Sequence, residues 1–255
     1  MQTAFAAASS ISRFNVGIRN GRAVSLQLRE FLFEDAPPSA QGDGTGLKVW
    51  PTARPMLKCV QRLIGERFGH VTTNRPLNIL ELGSGCGYLG LGLAATCRAN
   101  VVVTDPGIVV SMAGSHGTTL DWLRENIELN SDVLEQGEGS VRCEQLRWGD
   151  DAAGAAILNG GGFDLVVGSD LLYDPVQYPA LLSALHALAG PGDEDGAAPV
   201  AVLGYPERHG DERSFWQLCD EAGELVTGET VQIDASVGPR RPRLVLLATY
   251  LHRHN

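Results

Sequence analysis

The run Ile79-Leu80-Glu81-Leu82-Gly83-Ser84-Gly85-Cys86-Gly87 constrains this chain more than any other stretch. Leu77 to Leu82 reads as a short buried strand, and Gly83 to Gly92 as a glycine-rich turn opening a helix. Such a junction brings backbone close to a ligand. Small residues leave room for it, and the helix N–H groups face its negative end. Val101 to Thr104 reads as a second buried strand, and Asp105 follows it, 22 residues beyond Gly83. A carboxylate at that place suits the two hydroxyls of a ribose.

Two ligands compete for this turn. Gly85, Gly87 and Gly90 spell G-x-G-x-x-G, the dinucleotide pattern, which is weak when it stands alone. Glu81 separates the candidates. An acid near the end of a buried strand is costly unless it has a use. A nicotinamide dinucleotide offers none, whereas the cationic amino-acid end of S-adenosylmethionine does, directly or through water. We therefore read the turn as an S-adenosylmethionine site.

Beyond the turn, strands keep alternating with helices. Met56, Leu57, Val60, Leu63 and Ile64 recur at helical spacing after Pro55, and Thr118 to Leu129 carries Leu120, Leu123 and Ile127 on one face. Val141 to Leu146, Phe163 to Val167 and Val200 to Leu203 read as strands three to five, and Leu244 to Tyr250 as the last. Thr230 to Ile233 offers one further edge strand. Pro179 to Leu188 and Glu212 to Ala222 read as helices. This order predicts an α/β fold: a doubly wound, mostly parallel sheet with helices on both faces. Ahead of it, Arg13 to Phe33 reads as a β-hairpin about Asn20-Gly21, with Phe14, Val16 and Ile18 alternating before the turn and Val24, Leu26 and Leu28 after it. Asp35 to Gly46 has linker composition.

Charge and cysteines narrow the function. A net charge of -10 opposes non-specific nucleic-acid binding and suits a basic protein partner better. The 5 cysteines are scattered without ligand spacing, which predicts reduced thiols and no metal site. No apolar run is long enough to span a membrane. Arg13, Arg19, Arg22 and Arg29 face only Glu30 as an acid, as in some organelle transit peptides, yet the hairpin claims the same residues. The expected location is the cytoplasm, with organelle targeting by the first dozen residues left open.

Two loops after strands carry further candidates. Trp148, in Trp148-Gly149-Asp150, reads equally as a wall for an adenine ring and as a cap on the core. Asp170-Leu171-Leu172-Tyr173-Asp174-Pro175 places two acids and a phenol where a doubly wound sheet binds its ligands. These are poor core material and good material for holding an amine. Asp174, before proline, is the more ordinary turn residue.

Together these segments resemble the seven-strand class I S-adenosylmethionine-dependent methyltransferases. Within that class they resemble the protein-lysine methyltransferase family related to the elongation-factor and chaperone lysine methyltransferases. The resemblance rests on Gly46 to Pro51, Glu81 to Gly87, Thr104-Asp105, Asn126 to Asn130, Arg147-Trp148-Gly149 and Phe163 to Tyr173. It implies a seven-stranded sheet of order 3-2-1-4-5-7-6 with the last strand antiparallel. Residues 1–45 then form an N-terminal extension and 46–255 the methyltransferase domain. It also implies cofactor-binding roles: Trp50 as a wall, Glu81, Gly83 and Gly85 at the methionine end, Asp105 at the ribose and Trp148 at the adenine. Asp170 and Tyr173 fall on the methyl-acceptor side as the catalytic pair. The activity implied is methylation of a lysine side chain in a protein substrate by a monomeric enzyme. The alternatives are a small-molecule or RNA methyltransferase of the same fold, or a non-catalytic S-adenosylmethionine-binding assembly partner. The chain departs from the family at Pro106 to Gly117, which looks like a small insertion, and at Gly204 to Arg208, where a basic, Tyr-rich stretch is usual.

Overall fold

Asn20 and Gly21 both take left-handed backbone angles (φ 50° and 74°), the conformation of the tightest hairpin turns and one these two residue types tolerate best. They join β1 (Ser9–Arg19) to β2 (Arg22–Phe31). The chain is described by a computed structural model over residues 9–31, 45–112, 115–158, 161–189, 200–206, 212–222, 226–227, 230–232 and 242–249. The linker from Asp35 as far as Gly44 and residues 1–8 of the targeting question lie outside the described residues. Phe14, Val16, Val24, Leu26 and Leu28 are buried, but Ile18 is 69% exposed. The expected alternation ends at Val16 because a β-bulge between Asn15 and Gly17 shifts the register and turns Ile18 outward.

The main body opens with α1 (Ala53–Arg67), α2 (Gly69–Asn74), β3 (Leu77–Leu82), α3 (Tyr88–Thr96) and β4 (Ala99–Asp105). Next come β5 (Val109–Met112), β6 (Ser115–Thr118), α4 (Thr119–Leu129), α5 (Ser131–Glu135) and β7 (Ser140–Gln145). The third group is α6 (Asp151–Leu158), β8 (Leu165–Ser169), α7 (Tyr178–Ala189), β9 (Val200–Pro206) and α8 (Glu212–Ala222). Three strands close the described chain: β10 (Val226–Thr227), β11 (Thr230–Gln232) and β12 (Pro242–Thr249).

The central sheet runs β10-β12-β9-β8-β3-β4-β7, with β11 also on β12. Strands β7, β4, β3, β8 and β9 are mutually parallel, and β12 is antiparallel to β9. The sheet has eight strands where the family resemblance implies seven. The extra strand arises at the edge, where β10 and β11 lie in one continuous antiparallel register along β12 (Val226 opposite Thr249, Thr230 opposite Val245). Leu165, Val166 and Val167 of β8 are all buried, so both faces of the sheet are covered. Helices α1 and α3 pack together, as do α6, α7 and α8 in sequence.

The N-terminal hairpin joins this core. Its buried residues belong to the same apolar cluster as β3 and α3. Asn126 of α4 and Asn130, which caps its end, bind the backbone of β2: Asn126 Oδ1 accepts the Arg29 N–H (2.7 Å), and Asn130 Oδ1 accepts the Gln27 N–H (2.8 Å). The Trp122 indole, fully buried, donates to the Arg29 carbonyl at 2.8 Å. Buried backbone groups need such partners. At the end of β2, Glu30 accepts the Val49 N–H (2.9 Å), so the hairpin also fixes the segment carrying Trp50.

Candidate active site

The strand order reverses at β3, which has β4 on one side and β8 on the other. The carboxyl ends of these three strands therefore open a crevice where doubly wound sheets bind ligands. A cleft of about 490 Å³ lies there, within the usual size range of small-molecule sites. Glu81, Gly83, Gly85, Asp105, Asp170 and Tyr173 line it. Trp50 and Trp148 are also among its walls. All eight residues singled out in the sequence thus meet at one cleft.

The turn after β3 takes left-handed angles at Gly83, Gly85 and Gly87 (φ 60°, 51° and 84°). At Gly85 the requirement is also one of space. A Cβ there would stand 3.1 Å from the carbonyl oxygen of Gly46. The room that glycine leaves is thus taken by the chain's own backbone, from a segment in which the sequence had singled out only Trp50. Gly46 in turn lies against Thr119 and the Asp105 carboxylate.

Asp105 is buried and accepts the Gly85 N–H (3.3 Å) and the Gly107 N–H (3.1 Å). The Thr119 hydroxyl donates to it as well. One carboxylate therefore holds the glycine turn, the start of the insertion and the start of α4 together while facing the cleft. The insertion folds into the β5–β6 hairpin rather than an irregular loop. Val110 anchors it against Phe31, Leu47, Cys86 and Trp122, and Ile108 reaches the cleft.

Glu81 is 2% exposed and accepts the Gly90 N–H at 3.0 Å. A Cβ on Gly90 would overlap that carboxylate. The third glycine of G-x-G-x-x-G is therefore required by the acid beside it, without reference to a dinucleotide. Burial pushes the Glu81 carboxyl up from its ordinary 4.5 to about 8. Hydrogen bonds from Ser84 and Gly90 oppose this, and the charge of Asp105 reinforces it. The unfolded chain loses this proton near pH 4.5 and the folded chain near 8, so the native state binds more protons between them. Stability contributed by the protonated acid is then lost as pH rises through that window. Glu81→Gln is expected to remove that loss, making the ligand-free variant more stable than wild type above pH 8, by up to several kcal/mol. Denaturant unfolding at pH 5 and pH 8.5 checks this. An equal pH response in both proteins would show that Glu81 is ionised throughout.

In the loop after β8, Asp170 is buried and carries a left-handed backbone (φ 60°), with its N–H donated to the Gly204 carbonyl at 2.7 Å. Thr52 donates to its Oδ1 (2.9 Å) and Ser169 to its Oδ2 (2.8 Å). The sequence reading missed Thr52. Tyr173 is 46% exposed at the mouth. Asp174 accepts the Val176 N–H (3.1 Å), the ordinary capping role expected of Asp before Pro.

The walls differ in how they are held. The Trp50 indole donates to the Thr45 carbonyl (2.8 Å), and Lys48 Nζ sits 4.7 Å from its ring centroid. Trp148 packs partly on the core while lining the cleft beside Gly83. Among the described residues there is no group of His, Cys, Asp and Glu that could hold a metal ion, and no helix long and apolar enough to cross a membrane.

Protein N-lysine methyltransferase METTL21A of Danio rerio is 32% identical over 112 residues, 44% of each chain. Protein-lysine N-methyltransferase EFM3 of Saccharomyces cerevisiae is 32% identical over 149 residues, 55% of this chain and 39% of that protein. Human protein-lysine N-methyltransferase EEF2KMT is 32% identical over 138 residues, 52% and 38% of the two chains. The chain thus matches less than half the length of each of these three relatives. Among solved structures, the METTL16 MTase domain (crystal form 2) superposes with a TM-score of 0.53 at 10% identity, over 80% of this chain and 71% of that one, a likeness of fold alone. A family model described as lysine methyltransferase matches residues 38–222, and the chain belongs to that family.

Proposed function

We propose that this chain transfers a methyl group from S-adenosylmethionine to a lysine side chain of a protein substrate. The observation that carries the reading is one cleft that brings together the glycine turn, Asp105 and the Asp170 loop. Counting β10 and β11 as one edge strand supports reading the sheet in the class I order 3-2-1-4-5-7-6. The relatives' lysine methyltransferase names support the acceptor.

The cleft fits the donor chemically. Its carboxylates suit a ligand bearing a sulfonium, an ammonium and two ribose hydroxyls. Asp105 would hold the hydroxyls, Trp148 the adenine, and Glu81, Gly83 and Gly85 the amino-acid end, with Trp50 as a wall. S-adenosylmethionine, when bound, supplies an electrophilic methyl group. The chain then has little covalent chemistry to perform, and the rate depends on alignment and exclusion of water. Asp170 and Tyr173 accept hydrogen bonds from the amine and aim its lone pair. An ionised Asp170 favours the ammonium form, so its task is orientation, and the lysine proton leaves through water.

Calorimetry tests the donor half. S-adenosylmethionine and S-adenosylhomocysteine are expected to bind and NAD is not. Binding of NAD with no response to the methyl donor contradicts the reading.

A further inference from the structure

The rule for helix starts is broken at one place, and the break lies beside the cleft. Threonine at an N-cap ordinarily accepts an N–H from the second or third helical residue. Thr52 holds that position ahead of α1, yet its backbone is already helical (φ −71°, ψ −27°) and its side chain caps nothing. Pro55 stands third in the helix, so one of the N–H groups that a cap would satisfy does not exist. The Thr52 hydroxyl is fully buried and instead donates to Asp170 Oδ1, 118 residues away.

Both ends of this hydrogen bond depart from local preference. Thr52 forgoes its cap, and Asp170 adopts a left-handed backbone that non-glycine residues avoid. Such departures concentrate where function demands them. The bond also ties the segment after Trp50 to the loop after β8. The Ala53 N–H, next to Thr52, is accepted by the Trp50 carbonyl (3.1 Å), and Gly204, which accepts the Asp170 N–H, lies against the Thr52 methyl group. The Trp50 wall and the acceptor loop are thereby locked to one another.

We propose that Thr52 is a positioning residue for methyl transfer: its hydroxyl fixes the Asp170 carboxylate against the Trp50 segment, so the acceptor amine meets the methyl donor in line. This rests on the methyl-transfer reading above. The test uses the full chain, labelled S-adenosylmethionine and a proteome lysate, reading the initial rate of label entering protein, with S-adenosylhomocysteine affinity measured separately. Thr52→Val, which keeps the shape and removes the hydroxyl, is expected to slow incorporation at least about tenfold while affinity stays within about twofold. Thr52→Ser is expected to restore most of the rate. In an Asp170→Asn background, Thr52→Val is expected to add little, because the hydroxyl acts through that carboxylate. A wild-type rate in Thr52→Val overturns the inference alone, as does Thr52→Ser as slow as Thr52→Val, or a full additional loss in the Asp170→Asn background. Label absent from protein even with the wild-type chain overturns the methyl-transfer reading and this inference with it.

Discussion

Replacing Asp170 with alanine is expected to lower methyl transfer by about 100-fold or more while leaving S-adenosylhomocysteine affinity within about threefold. The carboxylate is held by Thr52 and Ser169 at the end of β8, and its proposed partner is the acceptor. Alanine also has to adopt the left-handed backbone of Asp170 (φ 60°), at a cost of about 1–2 kcal/mol. Asparagine tolerates that conformation and serves as the control. Tyr173→Phe separates two roles for the exposed phenol: a mild loss marks a wall, and a severe one marks a hydroxyl that aims the amine. Full activity in a folded Asp170→Ala variant removes the residue from the mechanism.

Asp105→Ala is expected to weaken S-adenosylhomocysteine binding by about 1–3 kcal/mol, about fivefold to somewhat over a hundredfold. Two losses add here. The ribose hydroxyls lose a charged acceptor, and the N–H groups of Gly85 and Gly107 and the Thr119 hydroxyl lose theirs. The second loss loosens the glycine turn itself, so a lower unfolding midpoint is expected alongside the weaker binding. Calorimetry on the folded variant checks the first effect and thermal unfolding the second. Unchanged affinity would assign the ribose contacts to the neighbouring insertion instead.

How legible these features were in the sequence depended on how local their causes are. Leu77–Leu82 is a mostly apolar run broken by Asn78 and Glu81, and Glu212–Ala222 carries Phe215 and Cys219 one turn apart. Both elements have the ends that the patterns predicted. Helix α6, Asp151–Leu158, went unread because its alanines and glycine give it almost no polar face. The β5–β6 hairpin looked like a bare insertion, since its anchor, Val110, finds its partners in Phe31 and Trp122, distant in sequence. Ile18 was placed inward because a bulge at Asn15–Gly17 leaves no mark in the alternation before it.

The same distinction governs the cleft. Residues tied to a strand end, such as Asp105 and Asp170, could be located by counting along the sheet. Thr52 and Gly46 could not, because their contacts are made across the fold. A signal for Thr52 did exist: a threonine three residues before Pro55 has lost the third-position N–H it would otherwise cap.

The most direct measurement is labelled methyl transfer from S-adenosylmethionine into a cell lysate by wild-type protein and by Asp170→Ala, followed by mass spectrometry of the labelled products. The expected result is label on lysine side chains of protein with the wild type, and its near-absence with the variant. Label confined to RNA or small metabolites contradicts the proposed acceptor, and an absence of label from every fraction, with cofactor binding retained, contradicts catalysis itself.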